Sequence, residues 1–98
     1  MTLINKINLN DIHANVRKII NLTFDIRLLQ DQLEDVINYI SSNKKYLESG
    51  KISKEMYEEN QLKLEEGKKI LIEKINKKVE LLVKVAEKSK QLIGSNKI

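Results

Sequence analysis

Apolar side chains recur through the first half of the chain at alternating steps of three and four. The row runs Ile12, Val16, Ile19, Thr23, Ile26, Gln30, Leu33, Ile37, Ile40, Lys44 and Leu47, and eight of these eleven positions are apolar. Spacing of this kind, sustained over five heptads, predicts a long helix with a coiled-coil-like seam and fits no strand template. Leu22, Leu29 and Val36 form a second row on one flank, and Ile20, Phe24 and Leu28 climb the other side. The apolar face is therefore wider than a two-helix seam needs. Ser41-Ser42-Asn43 is the weakest stretch, because such residues bond readily to their own backbone and can kink or fray a helix.

The pattern stops and restarts once, at Leu47-Glu48-Ser49-Gly50-Lys51-Ile52-Ser53. Gly50 suits the left-handed position that ends a helix, and Ser53 is placed to cap a new one. Ile52 before that cap and Tyr57 at the fourth helical position fit a hydrophobic staple, and Glu55 favours the positive end of the helix dipole. A connection this short makes the two helices antiparallel neighbours.

Beyond the turn, Tyr57, Leu64 and Leu71 repeat every seven residues in a polar half-helix. Ile72, Ile75, Val79, Leu82, Ala86 and Ile93 then give a 3–4 seam that only Ser89 interrupts. Leu71, Ile75 and Val79 are successive steps of four, which reads as a stutter between two registers. Gly67 lies near that change, either to let helices approach closely or for no packing reason.

The expected fold is all-α, a long antiparallel helical hairpin of coiled-coil type, completed to a bundle by oligomerisation or a partner. Helix one is expected over about 10–48, the turn over 49–52 and helix two over about 53–93, with a tail at 95–98. Residues 1–9 read as an arm or as a helical extension beginning at Thr2. With the turn at Gly50, opposed residue numbers should sum to about 100. Ile20 then lies level with Glu80, and Leu28 level with Ile72. Ile26, Leu33, Ile37, Leu71, Ile75, Val79 and Leu82 should form the hairpin seam. Ile20, Phe24, Leu28, Ile70, Leu81, Val83 and Val85 are left over and mark a partner interface.

Composition sharpens this picture. There is no proline and glycine occurs only three times in 98 residues, which favours long helices. Absence of cysteine excludes disulfides and thiolate metal sites. The first residues are too polar for a secretory h-region, and the densest apolar stretch, from Val79 to Ala86, contains Glu80 and Lys84. A cytoplasmic protein is the expectation. Net charge is +4, with the excess after residue 50, where twelve lysines face eight glutamates. Lys77, Lys84 and Lys88 are the candidate anion-binding residues, for nucleic acid or an anionic membrane surface. Against that role, Glu59–Lys63, Glu65–Lys69, Glu73–Lys77 and Glu80–Lys84 are spaced as in a solvated helix face, and no aromatic row is interleaved to stack bases.

Little in the chain suggests chemistry. His13 is the single histidine and has no companion at metal-ligand spacing. Asp31, Glu34 and Asp35 form an acidic patch whose ordinary role on a slender hairpin is a solvated face or a rim that sets partner register. Phosphate loops, dinucleotide fingerprints and nucleophile elbows are absent. The expectation is a non-enzymatic interaction or assembly module without a cofactor or small-molecule substrate, whose partner is itself or another helical protein.

One family resemblance centres on the turn. Leu33, Val36, Ile37, Tyr39, Ile40, Tyr46-Leu47, Gly50-Lys51-Ile52, Tyr57 and Leu64 resemble the steadiness box of ESCRT-I. That module is the C-terminal helical hairpin of the complex's ubiquitin-binding subunit, with a Gly-x-Ile turn and an aromatic about five residues later. The likeness covers roughly residues 28–80, and both helices here are longer than the module needs. It implies a trafficking scaffold of archaeal or eukaryotic type, packed beside the helical hairpins of other subunits.

Overall fold

The computed structural model of the chain describes residues 2–94, and the side chains of residues 9–92. Two helices, α1 (Thr2–Glu48) and α2 (Lys54–Gly94), are joined by a five-residue turn, and no strand occurs among the described residues. The fold is all-α, an antiparallel helical hairpin. α1 starts at Thr2 and passes Asn10 without a boundary, so the helical-extension alternative describes the N-terminal residues. The expected tail at 95–98 lies outside the described residues.

Local chemistry accounts for the turn. Gly50 has φ of 75°, a value at which a Cβ would crowd the backbone. The Gly50 N–H donates to the Leu47 carbonyl at 3.1 Å and the Lys51 N–H to the Tyr46 carbonyl at 2.9 Å. These two bonds make a Schellman motif and satisfy carbonyls that α1 leaves open at its end. The Lys51 ammonium sits 5.4 Å from the Tyr46 ring centroid, a cation–π contact where an apolar pair is more usual. Ser53 caps α2: its hydroxyl accepts the Met56 N–H at 3.1 Å and its carbonyl accepts the Tyr57 N–H at 2.9 Å. Ile52 and Tyr57 are both half-buried, as a staple requires.

The chain divides into two compact units. One, Leu28–Asn76, contains the turn; the other pairs α1 up to Arg27 with α2 from Lys77. In the turn unit, α1 turns Leu29, Leu33, Val36, Ile40, Asn43 and Leu47 inward, and α2 turns Tyr57, Gln61, Leu64, Lys68, Leu71 and Ile75. In the other unit the inward residues are Ile12, Asn15, Ile19, Leu22 and Ile26, with Lys78, Leu82, Val85, Ser89 and Leu92. Each set follows an unbroken 3–4 rhythm, heptad positions a and d of an antiparallel pair.

Four expectations are corrected by this register. The inner d row of α1 is Asn15, Leu22, Leu29, Val36 and Asn43, whereas Val16, Thr23, Gln30, Ile37 and Lys44 stand one residue round, at e. Val16 is 44% exposed while Asn15 is 4% exposed. Ile37 and Val79 accordingly leave the seam, and Val36 and Lys78 enter it. The same shift removes the stutter in α2: Leu71, Ile75 and Val79 occupy d, a and e of one register. Finally, Asn43 bonds Gln61 and Asp25 pairs with Lys78, so opposed numbers sum to 104 and 103 rather than about 100. Ile20 therefore lies level with Lys84 instead of Glu80.

Polar side chains punctuate the seam. Asn43 is 5% exposed, and its Nδ2 donates to the Tyr57 carbonyl and to Gln61 Oε1, both at 3.2 Å. Its Oδ1 accepts from Asn60 Nδ2 at 3.3 Å. With its side chain engaged across the hairpin, Asn43 does not compete for its own backbone, and α1 stays helical through Ser41-Ser42-Asn43. Lys78 Nζ lies 3.4 Å from Asp25 Oδ2, both about half exposed, so this pair contributes about 0–1 kcal/mol. Asn15 and buried Ser89 share a level in the other unit. The Ser89 hydroxyl donates to the Val85 carbonyl at 3.0 Å, and Asn15 Nδ2 is buried with no hydrogen-bond partner.

Candidate functional site

No apolar side chain among the described residues is fully buried. The inner rows are only half covered, because each lies in a groove between just two helices. The chain exposes 7898 Å², whereas a compact monomer of 11.4 kDa exposes about 5,800 Å². What the hairpin offers a partner is this uncovered apolar surface.

Around each helix the heptad positions follow the order a, e, b, f, c, g, d, which places the e and b rows of α1 and α2 along the same side of the hairpin. In the unit away from the turn, that side carries Val16 and Ile20 on α1 and Val79, Val83 and Ala86 on α2, all exposed, and Phe24 stands next to it at f, also exposed. Phe24 is 62% exposed and Val83 49%. Val16, Ile20 and Phe24 are spaced by four and form one ridge climbing from the seam to the outer face.

The seven expected interface residues do not form one patch. Ile20 and Val83 share the e/b side, and Phe24 lies one position further round, at f. Leu28 and Ile70 occupy c positions in the turn unit and Leu81 a g position in the other, all exposed on the opposite edge of their helices. Val85 is a d residue, half-buried in the seam, and is no part of an outward surface. Val16, Val79 and Ala86 belong to the exposed side although sequence reasoning assigned them to the seam. Their signal is the third apolar row itself, since a/d plus e is the pattern of a helix with more than one neighbour.

Charge is sorted along α2 by the same geometry. Glu59, Glu66, Glu73, Glu80 and Glu87 recur every seven residues at f, all exposed. Lys77, Lys84 and Lys88 lie at c, c and g, on one exposed edge. Near the turn, Tyr39, Tyr46, Asn60 and Lys63 line a shallow open groove of about 340 Å³ over the Asn43 network. Among the described residues no group of three or more histidine or carboxylate side chains is placed to hold a metal ion. None of the described helices is long and apolar enough to cross a membrane.

No protein-family model matches the chain, and no curated protein or solved structure matches it significantly. Function must be argued from this surface alone.

Proposed function

We propose that the chain is a non-enzymatic helical assembly module, whose hairpin supplies two helices of a larger bundle. The observation that carries this reading is the lack of any fully buried apolar side chain among the described residues, beside a third apolar row on each helix. Burying apolar area is worth about 25 cal/mol per Å², so a helical partner laid on the e/b side gains where the hairpin alone leaves water. The resemblance of the turn to the ESCRT-I steadiness box extends the proposal to a scaffold subunit packed beside other helical hairpins. Its support is the Gly50, Ile52, Ser53 and Tyr57 constellation. The test is Phe24→Asp. Its solution mass should fall toward the 11.4 kDa of one chain, or its helicity should drop. An unchanged mass and helicity would remove Phe24 from any interface.

The common edge of Lys77, Lys84 and Lys88 favours a second reading, a basic helical binder of nucleic acid or anionic membrane. It predicts salt-sensitive binding that charge reversal at those three lysines weakens. Absence of binding to both anionic vesicles and nucleic acid at low salt would retire it.

A further inference from the structure

We infer, resting on the second reading above, that the lysine edge meets the surface of an anionic lipid bilayer, with Lys18 of α1 in the contact. Charge, placement and one exposed leucine lead there.

The excess charge belongs to one unit. Residues 1–27 and 77–98 carry ten basic and four acidic side chains, whereas residues 28–76 carry eight and ten. A net charge of +6 against −2 draws the unit that holds both chain ends toward an anionic partner.

In that unit the c and g rows of both helices share the side opposite the e/b side. They bring together Lys18 on α1 and Lys77, Lys84 and Lys88 on α2, all exposed. Asp25 and Lys78 give opposed numbers that sum to 103, so Lys18 lies level with the stretch between Lys84 and Lys88. The pattern of α2 does not reveal Lys18, which joins the edge only across the seam. Two carboxylates, Asp11 and Asp25, share this side. Asp25 is taken by Lys78 at 3.4 Å, and Asp11 stands one heptad beyond Lys18, about 10 Å along the axis. Among the described residues the Asp25–Lys78 pair is the one ion pair, so Glu80 and Lys84, though suitably spaced, do not close on each other.

The make-up of this side favours lipid over nucleic acid. All four free cations are lysines, and both arginines of the chain lie elsewhere, Arg17 at f and Arg27 at b. The fixed phosphates of a nucleic acid suit the planar fork of arginine, while mobile lipid headgroups accept point charges at any spacing. Leu81 stands among the lysines at g and is 48% exposed. A leucine gains by entering the boundary between headgroups and acyl chains, and gains little against a phosphate backbone. The single aromatic residue of the unit, Phe24, is at f of α1 and offers no stacking platform on this side.

The test measures binding of the full chain to phosphatidylcholine vesicles with and without phosphatidylserine. Duplex DNA and RNA are compared at equal concentrations of anionic charge and at low salt, with circular dichroism to check that each variant is helical. Wild type should bind the phosphatidylserine vesicles, ignore pure phosphatidylcholine, and bind the nucleic acids more weakly. Lys18→Glu should weaken vesicle binding roughly tenfold or more. Lys69→Glu, the same charge change on the e/b side of the turn unit, should leave it nearly unchanged. Leu81→Gln should weaken binding to vesicles and not to nucleic acid. Tighter binding to DNA or RNA than to vesicles, or vesicle binding that ignores Leu81→Gln, overturns the bilayer as partner and leaves the basic-binder reading standing. Equal weakening by Lys18→Glu and Lys69→Glu overturns the assigned side. Binding to neither vesicles nor nucleic acid overturns the basic-binder reading and the bilayer together.

Discussion

Asn43 and Gln61 meet side chain to side chain across the hairpin, Nδ2 of one donating to Oε1 of the other at 3.2 Å. Asn60 and the Tyr57 carbonyl complete the set, so the most buried polar group near the turn is satisfied. Amides paired in this way hold the register, because a helix slid by one step, or the loss of one member, leaves the others unpaired.

Replacing Asn43 alone should therefore destabilise. Asn43→Leu strands the Asn60 and Gln61 amides against a methyl group, at a cost of about 1–3 kcal/mol. A urea midpoint lower than that of the parent, at unchanged slope, is the expected reading.

Asn15 should behave in the opposite way. It is as buried as Asn43, but its Nδ2 has no hydrogen-bond partner. Asn15→Leu removes an unsatisfied donor and adds apolar volume to an inner d position. Thermal unfolding should show a higher Tm than wild type, by the equivalent of about 1 kcal/mol or more. Equal destabilisation by Asn15→Leu and Asn43→Leu would show that the two amides are held alike.

The two glycines separate just as clearly. A Cβ built on Gly67 meets nothing within 4 Å, and its backbone is helical. Gly67→Ala should stabilise α2 by about 1 kcal/mol, visible as a raised urea midpoint. Close helix approach is not its role. Gly50 at φ 75° should respond the other way, Gly50→Ala costing about 1–2 kcal/mol in the same assay.

Much of the fold is legible in the residues. Gly50 and Ser53 carry the turn because each solves a local problem, a left-handed backbone and an unpaired set of N–H groups. The a row of α1, from Ile12 to Leu47, is read correctly since nothing competes with it. The d row is not, and the reason is physical. Val16 is more apolar than the adjacent Asn15, and Ile37 no less so than the adjacent Val36, so steps of four from Ile12 and Leu33 lead to e. Asn15 and Asn43 hide the two ends of the d row. Which of two adjacent rows faces inward depends on where the second helix lies, and periodicity within one helix does not contain that. Lys78 hides the register of α2 in the same way, with Val79 beside it as the greasier choice. A third apolar row is legible as excess, but its division between seam and outer side follows only once the partner helix is placed. That is why Ile20 and Val83 share one side and Phe24 faces outward beside them, whereas Val85 turns inward.

The central claim is that one hairpin does not cover its own apolar surface. Helicity followed through thermal unfolding over a thousandfold dilution tests it most directly, since a fold completed by association has a Tm that depends on concentration. The account predicts a Tm that falls steadily on dilution, with helicity lost as the assembly dissociates. A Tm and helicity constant across the whole range, with the mass of a single chain throughout, would contradict it.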